Sequence, residues 1–267
     1  MRMTNRQRGV THVGAAPTLE MIDVSVLYGP GSQSSVRLRA GRRLEQRLAL
    51  SNVSFRVTAG EMVAVVGPNG AGKSTLFNLV VGTVRPSHGS IHVYGHDPNQ
   101  HTCIAYVPQR NQYDWSFPVT AWDVVMMGRV ASIGLFRHPG KRDREIVDQC
   151  LERVDAANLA TKQIGDLSGG QQQRIFIARA LAQEAELLML DEPFSGLDGP
   201  SGEAIMEILD SLSLEGVTIL TATHDINLAA QRFSRIMLLN GRIVALGSPE
   251  VVLDADNLLL AYGGKEV

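Results

Sequence analysis

Gly67-Pro68-Asn69-Gly70-Ala71-Gly72-Lys73-Ser74-Thr75 is the stretch on which the reading of this chain turns. It follows the apolar run Met62-Val63-Ala64-Val65-Val66, which has the length and composition of a buried strand, and a helix is expected to begin near Lys73. Glycines at 67, 70 and 72 permit left-handed backbone and carry no side chain, so successive N–H groups can converge on phosphate oxygens. The helix N-terminus adds partial positive charge. Lys73 supplies a point charge for β- and γ-phosphates, and the Ser74 hydroxyl suits a Mg²⁺ ligand. A chance Gly-rich turn would not also bring the strand, the spacing and the helix.

Further strands end in polar groups. Leu187-Leu188-Met189-Leu190-Asp191-Glu192-Pro193 is an apolar strand closed by acids, and a carboxylate at the C-terminal end of a parallel strand projects into the ligand crevice of an open α/β sheet. Asp191 is placed to reach Mg²⁺ through water, and Glu192 to accept a proton from a water attacking the γ-phosphate in line. Thr218-Ile219-Leu220-Thr221-Ala222-Thr223-His224 repeats the geometry and makes His224 a candidate γ-phosphate contact. Gln109, after the short strand Ile104-Ala105-Tyr106-Val107, is a candidate Mg²⁺ ligand that could report the ion to the next subdomain.

Leu167-Ser168-Gly169-Gly170-Gln171 reads differently, as the N-terminus of a helix continuing through Leu181. Its free N–H groups, its Ser hydroxyl and its dipole suit a γ-phosphate presented from outside; by itself Ser-Gly-Gly is also simply a good helix cap.

Taken in this order, the segments resemble the ATP-binding subunit of an ABC transporter, over roughly Leu19 to Val252. The resemblance makes Gly67, Pro68, Asn69, Gly70, Ala71, Gly72, Lys73, Ser74 and Thr75 the Walker A residues, Gln109 the Q-loop residue and Leu167 to Gln171 the signature. Asp191 and Glu192 end the Walker B strand, Ser195-Gly196-Leu197-Asp198 is the D-loop, and His224 is the switch histidine. It implies ATP and Mg²⁺ at the site, with Glu192, His224 and Lys73 catalytic and Ser74, Gln109 and Asp191 around the metal. It also implies a head-to-tail dimer in which each ATP lies between one cradle and the other subunit's Ser168, Gly169, Gly170, Gln171 and Asp198. The fold implied is an α/β P-loop NTPase: a mostly parallel core sheet, an antiparallel β flank and an inserted α-helical signature subdomain.

With 267 residues and 44% hydrophobic composition, the chain can bury the core of one enlarged α/β domain. Its 25 Lys and Arg against 27 Asp and Glu give no support for nucleic-acid binding. No apolar run approaches the ~20 residues that span a bilayer and no signal-peptide pattern opens the sequence, so a soluble subunit is expected. Cys103 and Cys150 form neither a framework nor a metal spacing, which fits a reducing cytosol. Residues 1–17 read as a flexible tail, 18–252 as the ATPase domain with helical residues about 118–180, and 253–267 as a C-terminal tail. Asn240-Gly241 predicts a two-residue hairpin turn between Arg235–Leu239 and Arg242–Ala245.

Three features stand apart. Tyr28 follows the first strand where ABC cassettes stack adenine, but the basic stretch 29–47, with Arg37, Arg39, Arg42, Arg43 and Arg47, is longer than the family's link and reads as a solvated surface loop or a membrane or partner contact. His88, His92, His96 and His101 fall on strand and turn, where a four-residue step separates side chains by ~13 Å, too far for one metal ion. Finally, Gln109 to Thr120, then Trp122-Asp123-Val124-Val125 and Met127-Gly128-Arg129, resemble the ATPases of manganese and zinc uptake systems. That resemblance implies import through an integral membrane permease, fed indirectly by a substrate-binding protein, with this subunit peripheral at the cytoplasmic face of the membrane. Tyr113, Trp115 and Phe117 are then docking anchors for the permease, or else aromatics buried beneath the Q-loop. Importers of ferric siderophores and cobalamin share much of the pattern and stand as the alternative. ABC ATPases acting on soluble macromolecules carry two cassettes or a long coiled coil between cradle and signature, for which Gln109 to Leu167 leaves no room.

Overall fold

The computed structural model describes residues 16–29, 47–98, 103–110, 117–134 and 136–263. Two sheets organise them. The strands β1 (Leu19–Tyr28), β2 (Arg47–Val57) and β4 (His88–Val93) form an antiparallel sheet in the order β2-β1-β4. The second sheet contains β3 (Met62–Val66), β5 (Ile104–Val107), β6 (Leu187–Asp191), β7 (Thr218–Thr223), β8 (Arg235–Leu239) and β9 (Ile243–Gly247), in the order β5-β6-β7-β3-β8-β9. All neighbours in it run parallel except β8 and β9. Strands β6 and β7 are buried throughout, as near-continuous apolar or β-branched runs in a covered parallel sheet should be.

Side-chain alternation sends the two faces of this sheet into two cores. Val63, Val65, Met189, Leu220 and Met237 pack with the antiparallel sheet and with Leu76, Phe77 and Val80 of helix α1 (Lys73–Val80). Ala64, Val66, Leu188, Leu190, Ile219 and Leu238 face the opposite, helical core. There α2 (Ala121–Met127), α4 (Lys141–Arg153) and α5 (Gly169–Ala182) bundle together, with the short α3 (Val130–Ile133) at their edge. Arg129 pins this bundle: its buried guanidinium donates to Asp143, Glu184 and the Ala182 carbonyl. The remaining helices are α6 (Gly199–Leu214), α7 (Ile226–Arg232), α8 (Pro249–Val252) and α9 (Ala255–Tyr262). The expected mostly parallel sheet, antiparallel flank and inserted helical region are all present.

Two local expectations change. The chain from 253 is not simply a tail: α9 starts at an Asp254 cap and packs on β8 and β9, with Ala261 buried. The β8–β9 connection is also longer than a two-residue turn, because Leu239 pairs with Ile243 and leaves Asn240, Gly241 and Arg242 in the loop. Its backbone has tertiary partners: Gly241 N–H donates to the Ala71 carbonyl at 2.8 Å, and Gly241 O accepts from Ser51 N–H at 2.7 Å. Among the described residues no helix is long and apolar enough to cross a membrane.

Candidate functional site

The C-terminal ends of β3, β5, β6 and β7 lie at one edge of the parallel sheet, and the groups singled out in the sequence follow those ends. A cavity of about 440 Å³ opens there, lined by the loop Pro68 to Thr75, by Gln109, Asp191, Glu192 and His224, and on a second side by Tyr28, Arg47 and Ala49. Separations of tens of residues along the chain thus collapse into one crevice, at the strand ends where open α/β sheets bind ligands.

The loop is held by its own close contacts. Gly67 is required by a close approach: a Cβ there would stand 2.1 Å from the Leu239 carbonyl oxygen. Gly72 precedes α1 with φ of 99°, a left-handed conformation in which a side chain is strained, and no side chain caps the helix. The first N–H groups of α1 are thereby left for another acceptor. Lys73 Nζ donates to the carbonyls of Gly67 at 2.5 Å and Pro68 at 3.3 Å, curling over the loop. Burial lowers the pKa of Lys73, while the nearby Glu192 and Asp191 charges oppose the shift.

Asp191 is held from two sides. The Tyr106 hydroxyl donates to Oδ2 at 3.3 Å, and the Ser74 hydroxyl favours the charged form of the same carboxyl. Burial raises its pKa and the Glu192 charge adds to this; the hydrogen bonds and Lys73 pull the other way. Ser74, Asp191 and the amide oxygen of Gln109 make an oxygen-donor set of the hard kind that suits Mg²⁺.

Glu192 adopts φ of 52°, unusual outside glycine, while its N–H donates to the Ala222 carbonyl at 2.9 Å. Such a left-handed residue costs on the order of 1 kcal/mol and marks a side chain held in a set direction. Here that direction is toward His224, whose Nδ1 lies 2.8 Å from Glu192 Oε2; the tautomer with hydrogen on Nδ1 donates this bond.

The Ser168 segment does not line the cavity. Ser168 caps α5, accepting from Gln171 N–H at 3.4 Å, and the Gln171 side chain returns a bond to Ser168 N–H at 3.0 Å, a closed capping box. Ser168 is exposed, whereas Gly170 is buried where a Cβ would press on Ser201 at 2.6 Å. Asp198 caps α6 through Ser201 N–H at 2.8 Å and is likewise outside the cavity. The Tyr28 ring reaches the cavity, and its hydroxyl donates to Thr75 Oγ1 at 3.4 Å.

Several groups in or around the cavity escaped sequence reasoning. Arg47 was absorbed into a basic loop, yet it opens β2 opposite Tyr28 and lines the cavity. Tyr106 could have been found by alternation along β5, since it pairs with Met189 two residues before Asp191. Arg110 donates to Gln172 Oε1 at 2.8 Å and so ties the Gln109 segment to α5. Tyr262 on α9 has a buried hydroxyl with no hydrogen-bond partner among the described residues; burial raises its pKa and the Glu192 charge contributes. Residues 30–46, His101, Tyr113 and Trp115 lie outside the described residues, and Phe117 is exposed.

A glycine-lined cradle at a helix N-terminus, facing acids at parallel strand ends, defines a P-loop nucleotide-binding ATPase. The comparisons with known proteins narrow the class: residues 50–195 match the family described as ABC transporter. The chain is 45% identical over 217 residues to the manganese transport system ATP-binding protein MntB of Bacillus subtilis, covering 81% of this chain and 87% of that protein. It is 41% identical over 221 residues to the zinc transport system ATP-binding protein TroB of Treponema pallidum, covering 82% and 83%. Among solved structures, the dimeric bacterial ABC transporter cassette MJ0796 superposes with a TM-score of 0.70 at 29% identity, over 86% of this chain and 98% of that one. The chain belongs to the ABC transporter family.

Proposed function

We propose that this chain is the ATP-hydrolysing subunit of an importer that moves a transition metal ion, manganese or zinc, through a separate membrane permease. The observation that carries the ATPase reading is the convergence of Lys73, Ser74, Gln109, Asp191, Glu192 and His224 on one cavity. The metal cargo is supported by the relatives, whose names specify manganese and zinc transport.

The chemistry assigned to the residues is economical. The cradle N–H groups and Lys73 hold the β- and γ-phosphates. Ser74, Gln109 and Asp191 would hold Mg²⁺, which would supply positive charge against the phosphate oxygens. Glu192, oriented by His224, takes the proton of the attacking water as oxygen bonds to the γ-phosphorus and the bond to ADP breaks. Ser168 and Gly169 do not line their own cavity, so in this reading they meet the nucleotide of a second copy in a head-to-tail dimer, with Asp198 near the same interface. ATP can drive closure only by binding the closed pair better than the open one.

The subunit would then sit at the cytoplasmic face of the membrane on its permease, with a substrate-binding protein upstream on the other side. Exposed Phe117 and an apolar groove of about 230 Å³, walled by Met126, Met127, Val130 and Ile133, offer a docking face on the helical subdomain. The test is ATP-dependent uptake of radioactive manganese or zinc by vesicles containing the chain and the permease that co-purifies with it. Uptake is expected to stop with Lys73→Ala. Accumulation of neither metal overturns the cargo, and uptake that survives Lys73→Ala overturns the ATPase role.

A further inference from the structure

Arg47 belongs to none of the motifs above, yet it reaches the same cavity from the opposite side. The wall built from the parallel strand ends carries Lys73, Asp191 and Glu192; the antiparallel sheet contributes Tyr28 and Arg47, which are cross-strand partners. Arg47 Nη2 lies 3.7 Å from the point where a Cβ of Gly70 would stand, so the guanidinium hangs over the cradle loop itself.

Charge balance gives this position meaning. Asp191 and Glu192 place two carboxylates in the cavity, and the cradle's own cation, Lys73, is buried and shared between the Gly67 and Pro68 carbonyls. A nucleoside polyphosphate brings several more negative charges to a wall already short of positive ones. Arg47 is exposed and has no ion pair among the described residues, so its guanidinium can approach without first breaking a bond. Its planar fork matches two phosphate oxygens at once.

We infer that Arg47 is a second cationic contact to the polyphosphate of the bound nucleotide, holding it against the Gly70 loop from the antiparallel sheet. The inference rests on the nucleotide reading of the cavity. It assigns binding work to the end of a stretch that sequence alone treats as a surface loop. Contact to phosphate predicts indifference to the base, whereas stacking of the guanidinium on the base predicts discrimination.

The test is equilibrium titration of the full-length protein with Mg-ATP and Mg-GTP across a salt series, comparing wild type, Arg47→Ala, Arg47→Lys and Lys73→Ala. Arg47→Ala is expected to weaken both nucleotides by a similar factor, about tenfold, with a shallower salt dependence, and Arg47→Lys, which keeps the charge but not the fork, to recover part of the loss. In steady-state turnover the effect should fall on KM rather than kcat. Wild-type affinity in Arg47→Ala overturns the inference. A loss that differs between ATP and GTP and that Lys does not restore also overturns it, in favour of base stacking. If Lys73→Ala binds as wild type does, the nucleotide reading itself fails; if Lys73→Ala fails to bind while Arg47→Ala is normal, only this inference falls.

Discussion

Helices α1 and α5 both begin at glycine-rich segments, but they use their N-termini in opposite ways. α1 has no side-chain cap and no acid in its first turn, and its Lys73 and Ser74 turn into the cavity of the same chain. α5 is closed by its own capping box, with Ser168 exposed and outside that cavity. An uncapped N-terminus keeps its donors for a ligand; a capped one is a rigid surface complete without it. The cradle therefore keeps its donors for its own cavity, and under the proposed dimer the Ser168 end is a surface brought to the nucleotide of a second copy. Arg110, next to Gln109 and bonded to Gln172, is a physical link between the two.

Breaking the cradle side should have the larger effect. Glu192→Gln removes the proposed proton acceptor but keeps the size of the side chain, so nucleotide binding is expected to persist while turnover falls by at least ~100-fold. Single-turnover hydrolysis of bound ATP measures this, and a near-normal rate would remove Glu192 from the role. The α5 side is sharpened by Ser168→Arg, which places a bulky cation at an exposed cap and gives up that cap's hydrogen bond from Gln171 N–H. ATP binding to the variant's own cradle should be unchanged, whereas turnover at protein concentrations that saturate the wild type should drop by about tenfold or more, because the donor surface proposed to meet the second copy's phosphate is blocked. Equal loss of binding would mean that Ser168 acts on its own cavity, contrary to the geometry.

Where local chemistry determines structure, the sequence was readable in advance. The run Met62 to Val66, the glycine spacing after it and the acids closing Leu187 to Leu190 predict strand, loop and strand end without tertiary information, and the structure follows them. What could not be read depends on contacts distant along the chain. Nothing near Gly67 shows that Leu239 will press against it, and nothing in Asn240-Gly241 shows that its backbone will bond Ala71 and Ser51 and so lengthen the turn. Arg47 looked like one more arginine in a basic stretch because its position is decided by register with Tyr28. Similarly, a helix of eight residues after Asp254 carries its own cap signal, but its docking on β8 and β9 is a tertiary fact.

The smallest expected effect concerns the cost of holding the cradle's carboxylates ready. Burial raises the pKa of Asp191, with Glu192 adding repulsion, so the folded protein binds a proton here more readily than the unfolded chain does. The contribution of Asp191 to stability is then full at acid pH below its ordinary carboxylate value, and it is lost as pH rises through the elevated folded value. Above that window the charged form is a net burden on the nucleotide-free protein. Asp191→Asn keeps the shape and removes the charge, so without nucleotide the variant should melt above the wild type at neutral pH. The gap should narrow as pH falls through the carboxylate range, where wild-type Asp191 becomes neutral too. Thermal unfolding across pH measures this, and a gap that widened on acidification would reverse the sign and show that the Tyr106, Ser74 and Lys73 contacts outweigh burial. Under the proposed role the same substitution should weaken Mg-ATP binding, so that stabilising the empty cradle and impairing the loaded one occur together.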